Sequence, residues 1–419
     1  MESSEKQKLF SGYQIFIIAI TAFIQFTVIL DFMVLSPLGA ILMPKLQITT
    51  SQFGLVVSAY AFSAGISGIL AAGFADKYDR KKMLLFFYAG FLLGTVLCAL
   101  APDYYSLLIA RIVTGIFGGV IGSIAFAIIS DLFKFEVRGR VMGFVQMAFA
   151  ASQILGLPIG LLLANNYGWH SSFWMIALVG MIVGFVILFY MKPVTEHLKI
   201  KSERNAFQHL IKTLSVRDYV KGFLCTTLLG MGGFMLMPFG TAFTTNNLGL
   251  SMEQLPTVYF AVGIASIIIG PMIGRLSDKV GKYKIFVVGT ILGCIMAGIY
   301  TNMEATSIVM IIIVNILIFA GITSRIITGS ALMSAVPSPQ DRGAFMSINA
   351  SVQQISGGIG AAIAGTIVFQ SADGMIHHYD WLGYTVICTM LITIAMMYFI
   401  DKHVQEIMQR KEKIVESAS

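Results

Sequence analysis

Twelve stretches of this chain are each long and apolar enough to cross a lipid bilayer, and nothing else in the sequence restricts its fold as strongly. A spanning helix needs about 20 mostly apolar residues. Runs of that kind lie near 13–42, 52–75, 83–101, 105–133, 141–164 and 172–191, and again near 219–246, 255–276, 284–301, 306–334, 344–369 and 381–400. Only 12% of the 419 residues are charged, about half the share of an ordinary soluble domain, so a water-soluble fold could not cover this much apolar surface. The expectation is an all-α membrane protein of twelve transmembrane helices.

The polar stretches divide the chain and orient it. The expected units are a short N-terminal segment (1–12), a six-helix bundle (13–191), a basic linker (192–218) with an amphipathic run from Ala206 to Leu214, a second six-helix bundle (219–401) and a C-terminal tail (402–419). With the N-terminus in the cytoplasm, 25 of the 28 Lys and Arg residues fall in cytoplasmic segments. Lys45 alone falls outside, and Arg111 and Arg325 lie within spans. Retention of positive charge inside is the usual topogenic bias, so both termini are expected in the cytoplasm. Topology thereby accounts for the net charge of +7, and no basic patch interleaved with aromatic residues suggests nucleic acid. Cys98, Cys225, Cys294 and Cys388 sit inside apolar runs and read as packing residues rather than a disulfide framework. The apolar run from Tyr13 is too long for a cleavable signal peptide, and no small-residue cleavage site follows it.

Two landmarks repeat along the chain. GFADKYDRKK (73–82), after the second run, is echoed by GRLSDKVGKYK (274–284) after the eighth, and aligning Asp76 with Asp278 gives an offset of 202. EVRGR (136–140) after the fourth run is echoed by Asp341-Arg342-Gly343 after the tenth, and aligning Arg138 with Arg342 gives 204. Nearly equal offsets imply two pseudo-symmetric six-helix halves, a transporter plan with the binding site between them. Small residues recur every fourth position, as Ala148, Ser152, Gly156 and Gly160 in the fifth run and Gly357, Ala361 and Gly365 in the eleventh. Such ladders let helices approach closely in lipid. An interface between the halves is expected there, with static packing the alternative.

On these residues the sequence resembles the major facilitator superfamily over essentially its whole length. The loop after the second span is similar to the family's G-x-x-x-D-[RK]-x-G-R-[RK] motif. Asp76, Lys77, Arg80 and Lys81 match it, whereas its glycine positions hold Ala72 and Asp79. The copy after the eighth span keeps Gly274, Asp278, Lys279 and Gly281. The resemblance implies that these loops, with Arg138, latch the cytoplasmic side in an outward-open state, and that Asp131 is the acidic partner of the loop's arginine. For the lysines, topogenic charge is the plainer role. Gly156-Leu157-Pro158-Ile159-Gly160 resembles the glycine–proline motif of efflux branches, with Leu157 inserted as in sugar-efflux-like members. Pro158 would bend the fifth span or be a tolerated kink.

Three ionisable residues lie at membrane depth: Asp31, Arg111 and Arg325. Inserting such a group costs about 2.5–3.5 kcal/mol on insertion scales, which makes function the default expectation. Asp31 lies about 18 Å along the first helix from its outer end at Met43, and Arg111 lies near the outer end of the fourth span, so the two can pair if their helices adjoin. Through the resemblance, Arg111 matches the fourth-span arginine of proton-coupled members, and Asp31 the first-span acid of the drug–proton antiporter and sugar-efflux branches. Burial favours a neutral carboxyl while a neighbouring guanidinium favours the carboxylate, so joining or separating the pair would couple protonation to which side is open. A structural ion pair is the alternative. Arg325 has no counterpart in the first half and is a candidate for an anionic or polyhydroxyl substrate, or for a structural role. Gln25, Gln146, Gln153, Asn315, Asn349, Gln353 and Gln354 are candidate cavity residues, with hydrogen bonds between helices the alternative.

The chain lacks an H-E-x-x-H, a nucleophile elbow, a Walker A loop and a metal-ligand cysteine pair, which argues against an enzyme or a metal site. No cofactor is expected, and a proton gradient is the expected energy source. The resulting expectation is a monomeric secondary transporter working by alternating access, whose partners are a small-molecule substrate, protons and the bilayer. It is expected to export a drug or sugar against protons across a bacterial inner membrane. Uptake by symport or facilitation, or carriage of a lipid-like substrate, is the alternative within the fold. An intramembrane enzyme or a channel is the alternative outside it.

Overall fold

The computed structural model of the protein describes residues 10–71, 78–199, 206–338 and 341–418. The first half comprises α1 (Gly12–Leu46), α2 (Thr50–Ala71), α3 (Arg80–Leu100), α4 (Tyr104–Leu132), α5 (Phe135–Ala151), α6 (Leu157–Tyr167) and α7 (His170–Tyr190). A π-helical turn, Ser152–Gly156, joins α5 to α6. The amphipathic run of the linker forms α8 (Ala206–Ser215). The second half comprises α9 (Arg217–Phe234), α10 (Met237–Asn246), α11 (Leu255–Val280), α12 (Lys282–Thr301), α13 (Ile308–Ala335), α14 (Arg342–Ile367) and α15 (Tyr379–Ala418). A two-residue antiparallel ladder, β1 (Phe369–Gln370) with β2 (Ile376–His377), precedes α15.

Local chemistry sets several of these boundaries. Ser11 with Gln14, and Asp103 with Ser106, form capping boxes that satisfy the free amides at the starts of α1 and α4. Asp79 caps α3 by accepting from the Lys81 amide at 2.9 Å. Gly281 has φ +109 between α11 and α12, a conformation open to glycine and strained for other residues. The repeat is visible in helix starts: α3 and α12 begin at Arg80 and Lys282, an offset of 202, and α4 and α13 at Tyr104 and Ile308, an offset of 204.

Among the described residues, eleven helical segments are long and apolar enough to cross a membrane, α5–α6 and α9–α10 each counting as one. Outside this set are the short α8 and α14, which has 26 residues but carries Ser347, Asn349, Ser351, Gln353, Gln354 and Ser356 in its middle. Ser351 packs on Gly68 of α2 and Ser356 on Gly230 of α9, so much of that polar face is turned into the bundle. The outer surface is apolar. On α7, Leu178, Ile182, Phe185 and Phe189 are 58–74% exposed at helical spacing, a stripe suited to lipid and out of place in water.

The seventh span breaks between α9 and α10, ahead of Pro238, whose ring and missing N–H interrupt a helix. The carbonyls near the break find side-chain donors, as the lipid interior requires. Tyr379 Oη donates to Leu236 O at 3.0 Å, Tyr300 Oη to Gly240 O at 3.0 Å, and Ser36 Oγ of the first half to Met237 O.

Packing differs at the two ends. At the end bearing Arg80, Lys134 and Arg342, called the basic end here, each half has its own core, around Phe87, Ile128 and Ile187 in the first and Phe223, Phe286 and Phe345 in the second. At the far end one core joins both halves, with Leu38 and Phe53 packed among Phe239, Ala361 and Tyr379. The main contact between halves is α2 on α14. Ser58 Oγ donates to Gly358 O at 2.8 Å, Ser51 Oγ to Gly365 O at 2.8 Å and Thr50 Oγ1 to Val368 O at 2.6 Å. The small-residue ladder of the fifth span does not form this interface, contrary to expectation. Ser152 donates to Phe26 O at 3.2 Å, Gly156 abuts Leu30 and Gly160 abuts Val34, all on α1 of the same half. In the eleventh-span ladder Gly357 faces Phe234 within its own half, while Gly365 does reach across to α2.

Candidate transport site

A central cavity of about 1320 Å³ lies between the halves. It extends to the basic end, where its wall includes Arg80 and the exposed Arg342 and Gly343, and it is closed at the far end by the shared core and the α2–α14 contacts. Its surface is mainly apolar, with Phe32, Phe126, Phe149, Phe234, Phe319 and Ile322 contributing. Gln25, Gln146, Gln153, Asn315, Gln353 and Gln354 line it, as expected. The π turn carries Gln153, whose Oε1 is buried with no hydrogen-bond partner among the described residues. Tyr60, Thr241 and Tyr259 also line it. Sequence reasoning missed these because an uncharged tyrosine or threonine in an apolar span carries no signal of which way it faces.

Two expected cavity residues do not line it. Asn349 faces α9, where its Oδ1 accepts from Thr226 Oγ1 at 2.6 Å. Arg325 lies behind the wall, its Nη2 donating to Thr393 Oγ1 at 3.0 Å and its guanidinium 5.9 Å from the Phe286 ring centroid.

Asp31 and Arg111 do meet. Arg111 Nη1 lies 2.6 Å from Asp31 Oδ2, and the two side chains are 1% and 0% exposed. Thr95 Oγ1 donates to the other carboxylate oxygen at 3.2 Å. Neither member of the pair lines the cavity. Tyr60 stands between: its ring faces the cavity and carries the Arg111 guanidinium 4.5 Å from its centroid. The pair is thus a charge-neutral, hydrogen-bonded unit one aromatic ring away from the solute space. Arg111 Nε has no partner within it.

At the basic end, Arg80 Nε lies 3.2 Å from Asp131 Oδ2, joining α3 to α4. Arg138 donates to Phe133 O at 2.9 Å and Ser130 O at 2.6 Å, closing the carbonyl end of α4. Lys81 Nζ donates to Leu188 O at 2.9 Å. Asp278 pairs with Lys282 at 3.4 Å on the exposed α11–α12 turn, and Lys279 is exposed beside it. Each of these contacts lies within one half. Asp79, in place of the motif's glycine, also accepts from the Val194 amide at 3.1 Å and so holds the start of the linker. Asp76 and Lys77 lie outside the described residues.

Two related helical halves around a cavity that one end seals and the other leaves open define a multi-pass membrane transporter. Comparison with known proteins gives the family. The model of the Major Facilitator Superfamily matches residues 21–221 and again 222–415, and the chain belongs to that family. It is 25% identical over 374 residues to the uncharacterized MFS-type transporter YceJ of Bacillus subtilis, covering 88% of this chain and 92% of that one. It is 34% identical over 150 residues to Multidrug resistance protein 3 of the same organism, covering 36% and 29% of the two chains. Among solved structures, a bacterial homolog of the human lysosomal transporter Spinster, in an inward-facing and unoccupied conformation, superposes with a TM-score of 0.74 at 15% identity, covering 95% of this chain and 98% of that chain.

Proposed function

We propose that the protein is a secondary active transporter working by alternating access, and that it exports a small organic molecule, such as a drug or sugar, in exchange for protons. The observation that carries this reading is the Asp31–Arg111 pair, fully buried and one ring away from the cavity. A carboxylate held by a single cation in an apolar bundle has two well-separated states: ionised and paired, or protonated with the arginine released. In this reading a rearrangement that moves α1 against α4 shifts the balance between them and accompanies the change in which side of the cavity is open. The similarity to Multidrug resistance protein 3 supports export and a drug-like solute.

In this reading α14 is a twelfth span, both termini are cytoplasmic, and the basic end faces the cytoplasm of a bacterial inner membrane. The state described here has its cavity open inward. The basic loops, with Arg80–Asp131 as their anchor, latch that end when it closes, and the protein works as a monomer.

The test is survival of an efflux-deficient bacterial host on a panel of drugs, dyes and sugar analogues, comparing wild type with Asp31→Asn at matched expression. Protection by wild type that disappears in the variant is expected. Equal protection by both removes Asp31 from the coupling mechanism, and protection by neither refutes export of these classes.

A further inference from the structure

We infer that the transported molecule is an apolar organic anion and that Arg325 is the group that receives its charge. This deepens the transport reading, resting on it but not on its direction or its coupling ion. The first observation is electrostatic. Among the described residues lining the cavity the charged members are Arg80, which pairs with Asp131, and the exposed Arg342. A solute space walled by apolar side chains with an exposed arginine at its mouth favours anions over cations.

The second observation is the state of Arg325. It is 1% exposed. Whereas Arg111 has a carboxylate at 2.6 Å, the described partners of Arg325 are the Thr393 hydroxyl and the Phe286 ring, and its Nε has none. A guanidinium offers five donors. One hydroxyl and a ring leave most of them, and the whole charge, uncompensated in the membrane interior. Such a group is costly and is kept for a partner that arrives.

The third observation is the path. Arg325 sits among α9, α12, α13 and α15, and the cavity wall at this level is Gly232, Gly293 and Met390. A Cβ placed on Gly232 would lie 3.7 Å from Arg325 Nη1, with Thr389 Oγ1 at 2.9 Å and Met390 Cγ at 3.4 Å beside it, so the guanidinium lies directly behind this glycine and is flanked by two α15 side chains. Beside it, Met390 is flexible and polarizable and touches Cys294 Sγ at 3.9 Å. In this proposal, displacement of Met390 and Thr389, next to two glycines, opens the guanidinium to the cavity. A carboxylate, sulfonate or phosphate on an aromatic or aliphatic body fits this combination. Its charged group would pair with Arg325 while its body fills the space beside Phe319 and Ile322.

The probe pair is 2-naphthoate and 2-naphthamide, which share shape and differ in charge. Binding of each to the purified full-length protein is measured by calorimetry in phosphatidylcholine nanodiscs, with no gradient present. Wild type is expected to bind the acid at least tenfold more tightly than the amide. Arg325→Gln is expected to abolish that preference and Arg325→Lys to keep part of it. Equal or absent binding of both probes by wild type overturns the inference, as does a preference that survives in Arg325→Gln. The wild-type comparison decides by itself if the variant does not fold. Adding phosphatidylglycerol identifies the source of the anion: loss of naphthoate binding makes it a lipid headgroup, and unchanged binding makes it a soluble solute. Because no transport is read, failure here leaves proton-driven export standing, and failure of the survival test leaves this site standing.

Discussion

Replacing Gly54 with alanine tests whether backbone contact between α2 and α14 is what holds the far end shut. The added Cβ would lie 2.8 Å from the carbonyl oxygen of Ala361 and 3.2 Å from the Cα of Gly365. Both are backbone atoms of a helix in the other half, so no side-chain rotation relieves the overlap. Ordinary contact begins at 3.4 Å, so the two helices must separate by roughly 0.6 Å, which strains the bond from Ser51 to Gly365 O at 2.8 Å. Overpacking of this kind costs about 1–3 kcal/mol. The cost falls only on states in which α2 and α14 touch here, so the ratio of far-end-open to far-end-closed molecules should rise by about 5- to 150-fold. Spin labels at Tyr105→Cys and Trp381→Cys, both exposed at the far end in opposite halves, would read the two populations as two distances by double electron–electron resonance. The exposed Cys388 is changed to serine, and the buried Cys98, Cys225 and Cys294 are retained. Gly143→Ala is the control, because a Cβ there meets nothing within 4 Å and the change brings the same gain in helix propensity. A distance distribution that Gly54→Ala leaves like that of the control, or moves toward the closed state, refutes the assignment of this contact as the seal.

Two further substitutions test other parts of the site. Arg111→Gln leaves the buried Asp31 unpaired and should destabilise the protein by about 3–5 kcal/mol. Adding Asp31→Asn should recover most of that in thermal unfolding, because the buried charge is then gone from both sides, and a double variant no more stable than the single one would show that the pair is not held ionically. Asp79→Ala removes the cap on α3 and the hold on Val194. It should cost about 0.5–2 kcal/mol and speed protease cleavage at Lys192, with unchanged cleavage counting against Asp79 as the anchor of the linker.

The sequence made legible whatever the bilayer dictates. Apolar runs gave the helices because lipid leaves the backbone no other way to satisfy its polar groups. The two loop landmarks fixed a repeat that the starts of α3, α12, α4 and α13 reproduce. Asp31 and Arg111 stood out because charge at depth is rare, and their meeting followed from similar depth. The facing of helices was not legible. The fifth-span ladder packs on α1 because Leu30 and Val34 fill its glycine hollows, and period-four spacing is blind to the identity of the partner. Asn349 bonds to Thr226 while its neighbours Gln353 and Gln354 face the cavity. Gln353 sits about 40° round α14 from Asn349 and Gln354 about 140°, and polar residues spread so widely round one span do not single out its cavity face. The π turn at Ser152–Gly156 adds to this, since it shifts the facing of every residue after it.

Duplication supplied the frame of this protein and divergence its chemistry. The 204-residue offset carries Arg111 to Asn315, which lines the cavity, and carries Ile121 to Arg325. The 202-residue offset carries Asp31 to Gly233, where an added Cβ meets nothing within 4 Å, and Tyr60 to Val262. The first half therefore holds a compensated pair shielded from the solute by an aromatic ring. The second half holds neither acid nor shield at the matching positions and keeps instead a lone cation behind glycine. In the exchange proposed above, proton and solute would be served by two groups whose electrostatic needs differ. In that proposal the paired carboxylate answers to protons and is sealed from the solute by Tyr60. The Arg325 guanidinium, with a hydroxyl and a ring as its described partners, would answer to the solute from behind Gly232. On that proposal, the asymmetry between two halves of common plan lets one cavity serve both.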